Sequence, residues 1–198
     1  MVDVKNSVSK EEWDARQDLA AFYRTVPYFG RDDLIFTHIS AKVPGTEDEF
    51  LINPYGFLFD EITASNLVKV DLKGKILSDT NNFINPAGFT IHSAIHEARE
   101  DAHCIVHLQS NDGVAVASLK DGLLPLSQTG MLVRSQISYH DYEGVALFED
   151  EKERLVKDLG NEKLMILRNH GTLAIGKNVA EAFTNIYFLE KACSYQVR

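Results

Sequence analysis

The stretch Phe89-Thr90-Ile91-His92-Ser93-Ala94-Ile95-His96-Glu97-Ala98-Arg99-Glu100-Asp101-Ala102 runs almost directly into Cys104-Ile105-Val106-His107-Leu108-Gln109, and the apolar period changes at the join. In the first part Ile91, Ile95, Ala98 and Ala102 recur at intervals of 4, 3 and 4, the stripe of a helix lying on a core. In the second, Cys104, Val106 and Leu108 fall on one face and Ile105, His107 and Gln109 on the other, as in a strand. A helix read into a strand predicts an α/β fold, a single-domain mixed β-sheet flanked by helices on both sides.

The neighbouring segments extend that pattern. Ser9 with Glu12 reads as a capping box opening a helix over 13–25, and residues 1–8 read as disordered. Strand-like 34–43 and 49–53 form a hairpin across Pro44-Gly45, and Pro54-Tyr55-Gly56 makes a second turn. A short helix over 62–67, a strand over 67–72 and a helix over 112–119 capped by Ser110 or Asn111 follow. Beyond the mixed apolar run 123–133, a strand at 136–139 ends in the polar run Tyr139-His140-Asp141-Tyr142. A helix over 149–159 stops at Gly160, and strands 164–167 and 172–175 pair across Asn169-His170-Gly171, a turn expected to need its glycine. Asn178 and Glu181 open a last helix with Ala182, Ile186, Leu189 and Cys193 inward; no stop signal precedes Arg198.

Composition excludes several functions. The 198 residues, 44% hydrophobic and 25% charged, suit one domain over 1–198. A formal charge of −9 with scattered Lys and Arg repels nucleic acid and anionic lipid, so neither is an expected partner. No window approaches the roughly 20 apolar residues of a membrane span. Cys104 and Cys193 sit apart in apolar stretches and fit buried thiols of a cytoplasmic protein.

The chemistry-bearing residues fall into recurring motifs: His38-Ile39-Ser40-Ala41, Leu51-Ile52-Asn53-Pro54-Tyr55-Gly56, Ile62-Thr63-Ala64-Ser65, Ala87-Gly88-Phe89 before His92-Ser93-Ala94-Ile95-His96, Gly122-Leu123-Leu124-Pro125, Tyr139-His140-Asp141-Tyr142 and Arg168-Asn169-His170-Gly171. Together they resemble the class II aldolase/adducin family from about Trp13 to the C-terminus, several looking closer to adducin heads than to sugar-phosphate aldolases. The resemblance implies a class II aldolase-like three-layer sandwich, a homo-oligomer of tetrameric type, and a divalent metal, zinc first, with no nucleotide cofactor. It places the metal on two histidines one residue apart on a strand, a third from an Asn-His-Gly turn and often a glutamate.

This chain keeps part of that set. Residues two apart on a strand project together, so paired imidazoles there can reach one ion at about 2.0–2.1 Å. Here the pair is His107 and Gln109, a glutamine being a weak zinc ligand. His170 matches the turn histidine, while Pro86-Ala87-Gly88 stands where the resemblance implies Ser-Ser-Glu, and Thr37-His38 where it implies Gly-Asn. A phosphorylated sugar thus lacks much of its cradle. The metal candidates are His107, His170 and, weakly, Gln109; the base candidates are His140, Asp141 and Tyr142; and Asn53, Gly56 and Gln109 are candidates for substrate contact. His107 reads equally as a core histidine satisfied by hydrogen bonds, His170 as a turn residue, and Asn53 to Gly56 as a plain turn. The stripe His92, His96, Arg99 and His103 reads as a solvated or interface face.

Two functions remain open on these residues. One is a metal-dependent lyase or epimerase acting on a small hydroxy-carbonyl compound, its centre completed by Gln109, His140 or a neighbouring subunit. The other is a non-catalytic adducin-like module for oligomerisation or protein binding, in which actin or spectrin binding is not expected without a basic tail.

Overall fold

Short polar side chains set the helix starts. The hydroxyls of Ser9, Ser110 and Ser127 and the carbonyl of Asn178 accept backbone amides of Glu12, Gly113, Gly130 and Glu181 at 2.8–3.0 Å, satisfying donors that a helix leaves unpaired. In the computed structural model, which describes residues 3–144 and 149–198, the elements run α1 (Val4–Ser7), α2 (Lys10–Tyr28), β1 (His38–Lys42), β2 (Glu49–Ile52), β3 (Val68–Asp71), α3 (Pro86–Ala98), β4 (Cys104–Leu108), α4 (Asn111–Ala117), α5 (Gln128–Arg134), β5 (Ile137–His140), α6 (Glu149–Leu159), β6 (Leu164–Leu167), β7 (Gly171–Gly176) and α7 (Val179–Val197). Among the described residues the strands form one sheet in the order β3-β2-β1-β4-β7-β6-β5. Only β5 and β6 are parallel neighbours.

The alternation along β4 divides the core as its sequence predicts. Cys104, Val106 and Leu108 face a large cluster with Leu19, Phe22 and Tyr23 of α2, Val116 of α4 and Ala182, Ile186, Leu189 and Cys193 of α7. Ile105 faces the opposite layer, with Ile91 and Ile95 of α3 and Leu155 and Leu159 of α6. A third cluster beyond β1 packs Phe50, Ile52, Val68 and Val70 against Phe89. The fold is therefore three layers, helices–sheet–helices, with each fully buried Leu or Ile contributing about 1.5–3 kcal/mol.

Three local expectations are corrected. Residues 62–67 are not helical: a 3-10 turn at Phe59–Glu61 is followed by Thr63 and Asn66, which accept each other's backbone amides at 2.8 and 3.3 Å, and this side-chain competition stops a helix. Ser9 caps α2, but Glu12 does not complete a capping box. It turns inward, accepting Arg16 Nε at 2.9 Å and Lys69 Nζ at 2.9 Å, while Arg16 also reaches the Leu67 carbonyl at 2.9 Å. Residues 34–37, expected to be extended, are bent out of the strand, with Leu34 and Thr37 at φ of 50° and 71°.

Candidate functional site

His107 projects from the α3/α6 face of β4 and is buried. Its Nδ1–H donates to the Thr172 carbonyl at 3.0 Å, an atom that only accepts, so this nitrogen carries the ring proton. Burial holds the imidazole well below its usual pKa, reinforced by His170 and His38 nearby. A neutral ring with a protonated Nδ1 leaves a lone pair on Nε2. Gln109 covers it, its amide nitrogen lying 3.3 Å away. The amide nitrogen is the donor that lone pair requires, so the Gln109 carbonyl, the atom that could ligate a metal, faces elsewhere.

His170 reaches the same place from the β6–β7 turn. Its ring centroid lies 4.6 Å from that of His107, the planes inclined at 64°. The left-handed residue of this turn is Asn169, at φ 57°, and not Gly171 as the sequence suggested. Asparagine tolerates that region, and its backbone N–H donates to the Ala117 carbonyl at 3.0 Å. Gly171 is required for a different reason: a Cβ there would stand 2.3 Å from the Leu108 carbonyl oxygen, so a side chain would force β7 away from β4.

The other candidates separate by position. His140, at the end of β5, is buried, and its Nδ1 lies 2.7 Å from Asp158 of α6, an arrangement that orients the ring. Its Nε2 is buried and finds no hydrogen-bond partner among the described residues. Asp141 is 90% exposed at its side chain and lies 3.4 Å from Arg168. Tyr142 is exposed, its ring 6.5 Å from that of His170. His140, Asp141, Tyr142 and His170 line one cleft with Ile91 and Arg168. Asn53 is buried with its side chain 2.9 Å from the Tyr23 hydroxyl, and Gly56 sits in the turn after β2 at φ 93° with open space around it.

Sequence reasoning passed over His38 as a site residue and misplaced its neighbours. His92 and His96 do not form a solvated face: they are 0% and 2% exposed and point into the sheet. Because Ile91 and Ile95 sit one position before them on α3, the buried arc of this helix is wide enough to take both sets. β1 pairs with β4 in a register that sets His38 opposite His107, with ring centroids 5.2 Å apart. A strand pairing between residues so far apart in sequence leaves no local trace.

These imidazoles are neutral nitrogen donors of the kind a borderline cation such as zinc takes. Among the described residues, however, no three His, Cys, Asp or Glu side chains already stand in ligating positions about one point. His107 and His170 fit a metal by chemistry and proximity, and are half of a site.

Comparison with known proteins bears on this geometry. Residues 17–197 match the family model described as Class II Aldolase and Adducin N-terminal domain. The chain is 59% identical over 196 residues to a class 2 aldolase-like protein of Caulobacter vibrioides, covering 99% of this chain and 76% of that one. It is 48% identical over 186 residues to alpha-adducin of Rattus norvegicus, covering 92% of this chain but only 25% of the adducin. Among solved structures, L-fuculose 1-phosphate aldolase from Glaciozyma antarctica PI12 superposes with a TM-score of 0.85 at 28% identity, covering all of this chain and 76% of that one.

Proposed function

The chain belongs to the Class II Aldolase and Adducin N-terminal domain family, and from that premise we propose that it is a divalent-metal-dependent lyase or epimerase of a small hydroxy-carbonyl compound. The observation that carries this reading is the His107–His170 pair, ring centroids 4.6 Å apart, with the His107 proton held on Nδ1 by the Thr172 carbonyl so that the lone pair is on Nε2. His107 and His170 would hold the ion, zinc first, with Gln109 able to turn its carbonyl toward it. When bound, the ion supplies Lewis-acid polarisation of a substrate carbonyl.

The chain's own residues supply the rest. His140, oriented by Asp158 and with a bare Nε2, is the group that takes a proton from the substrate; Tyr142 and Asp141 stand at the cleft mouth. In a lyase that proton leaves the substrate hydroxyl, the adjacent C–C bond breaks, and its electron pair moves onto the carbon beside the carbonyl, which is then protonated. In an epimerase the proton leaves that carbon and returns on the other face. An unphosphorylated substrate is the better match, because Pro86-Ala87-Gly88 at the start of α3 offers no hydroxyl to a phosphate.

A second reading, a non-catalytic adducin-like module, is favoured by Gln109 covering the His107 lone pair and by the identity to alpha-adducin. Both readings expect a homo-oligomer, for which the exposed Met131 and Leu132 on α5 offer apolar surface. Elemental analysis of protein purified without added metal or chelator separates them. The enzyme reading expects about one divalent ion per chain and its loss in His170→Ala. Metal-free protein that keeps its oligomeric state after chelation would abandon the enzyme reading for the module.

A further inference from the structure

Arg31 is set in place by the way α2 ends. Gly30 takes φ 63°, its N–H donates to the Pro27 carbonyl at 2.9 Å, and the Arg31 N–H donates to the Val26 carbonyl at 3.0 Å, a cap that fixes the backbone of the residue after the glycine. The side chain then lies over two rings, its guanidinium carbon 5.7 Å from the Phe29 centroid and 5.3 Å from that of Tyr187 on α7. Only 12% of the side chain is exposed. Yet among the described residues none of its N–H groups makes a hydrogen bond: its ion-pair partner, Glu190, stands with Oε2 3.9 Å from Nε, beyond hydrogen-bond reach. Arg16, buried under α2, shows the ordinary arrangement, with Nε and a terminal nitrogen on Glu12 at 2.9 and 2.8 Å and another on the Leu67 carbonyl at 2.9 Å. A desolvated donor left unpaired costs about 1–3 kcal/mol, and more when charged.

Glu190 is satisfied without Arg31. One of its oxygens accepts the Ser110 hydroxyl and the other the Thr172 hydroxyl at 2.5 Å, both from inside the fold. Arg31 lines a cleft of about 370 Å³ between the end of α2, the start of α4 and α7, a volume in the range of small-molecule sites. Lys191 lines the same cleft, and its ammonium lies over the Tyr195 ring, 5.1 Å from the centroid, with no acid paired to it among the described residues. Arg198 is paired with Asp112 at 3.5 Å. The cleft is separate from that of His140 and His170: the Thr172 side chain points to Glu190 and α7, whereas His107 projects from the α3/α6 face of the sheet.

We propose that this cleft is a second ligand site that binds a small organic carboxylate, seated as a bidentate pair on the Arg31 fork, with Lys191 supplying further positive charge and Tyr187 and Tyr195 flanking its carbon body. A guanidinium presents parallel donors that match the two oxygens of a carboxylate. Of the serine hydroxyls lining the cleft, Ser110 donates to the Glu190 carboxylate and Ser194 to the Glu190 backbone carbonyl, so neither is left for the third oxygen of a phosphate. Repulsion from Glu190 is blunted, because both of its oxygens are engaged from behind and burial pushes its carboxyl above the usual range. The site stands independently of any metal at His107 and His170.

The test titrates the full chain with succinate, with benzoate and with inorganic phosphate at constant ionic strength, following heat and the 1H–15N amide spectrum. Wild type is expected to bind one equivalent of at least one carboxylate with a dissociation constant of about 1 mM or tighter, and phosphate at least about tenfold more weakly. The amide shifts should centre on Arg31, Tyr187 and Lys191. Arg31→Gln should weaken carboxylate binding by at least about 30-fold, as removal of one partner of a hydrogen-bonded charge pair does. Arg31→Lys should not restore it, because an ammonium lacks the planar fork, and Lys191→Gln should weaken it about two- to fivefold. The urea midpoint of ligand-free Arg31→Gln should stay close to that of wild type, which separates a lost contact from a lost fold. No saturable binding of either carboxylate to wild type, equal affinity for phosphate, or binding that survives Arg31→Gln would each overturn the assignment. Should Arg31→Gln fail to fold, the wild-type spectra decide alone: carboxylate-induced shifts that miss Arg31 and Lys191 refute it.

Discussion

Replacing Gly88 by alanine tests the His38 packing without touching a titratable group. Gly88 is buried within α3 and has no positive φ, so alanine suits its backbone and, by helix propensity alone, would stabilise by about 1 kcal/mol. The added methyl would sit 2.3–2.9 Å from three atoms of the His38 ring. That ring is held at Nδ1 by His92 and cannot swing away without leaving a buried nitrogen unpaired. Overpacking costs about 1–3 kcal/mol and a lost buried hydrogen bond about 1–3 kcal/mol, so the net change is a destabilisation of about 3 kcal/mol after the helix gain is subtracted. In a His38→Ala background the obstacle is gone, and the same substitution should stabilise. The assay is a double-mutant cycle by urea unfolding, followed by circular dichroism at fixed chain concentration, because oligomerisation would make the midpoint concentration-dependent. A Gly88→Ala effect of the same sign and size in both backgrounds would refute the contact.

Two further outcomes follow from buried polar groups. His96 is pushed down to about 3 by burial, so the unfolded chain binds the extra proton first: stability is full above the ordinary histidine value of 6.5 and falls as pH drops from 6.5 toward 3, by about 1 kcal/mol per pH unit. Urea midpoints at pH 7 and pH 5 with chelator present check this, and identical midpoints contradict it. Tyr23→Phe should cost about 1–3 kcal/mol, because the Tyr23 oxygen accepts the Ile39 and Asn53 amides at 2.7 and 3.2 Å and both would be left buried without it; a lowered midpoint with unchanged urea slope is expected.

What the sequence disclosed is what local periodicity encodes. β4 was legible because apolar residues alternate along it, α6 and β6 because turn residues bound them, and α7 because Asn178 caps a stripe ending at Cys193. The His107–His170 approach was legible only through resemblance, since no spacing connects residues 107 and 170. The approach of His38 to His107 was hidden by register: whether the two meet depends on how β1 slides along β4. His92 and His96 misled because two polar residues four apart ordinarily mark a wet helix face, and here they meet Ser40 and His38 across the layer boundary. At the β6–β7 turn, glycine drew attention from Asn169, which takes the unusual backbone angle.

The ladder joining β4 to β7 carries a mechanical consequence. β4 bears His107, and β7 both supplies its Thr172 anchor and begins immediately after His170, so one run of cross-strand pairs from Cys104–Gly176 to Leu108–Thr172 gauges the spacing of the two rings. To part them the chain must unzip two central strands of the sheet, an event on the scale of global unfolding. His140 rides instead on the outermost strand, β5, fastened on one side only by β6. Amide exchange should therefore be slowest under the paired imidazoles and faster at His140: a fixed anvil with a separately mounted hammer.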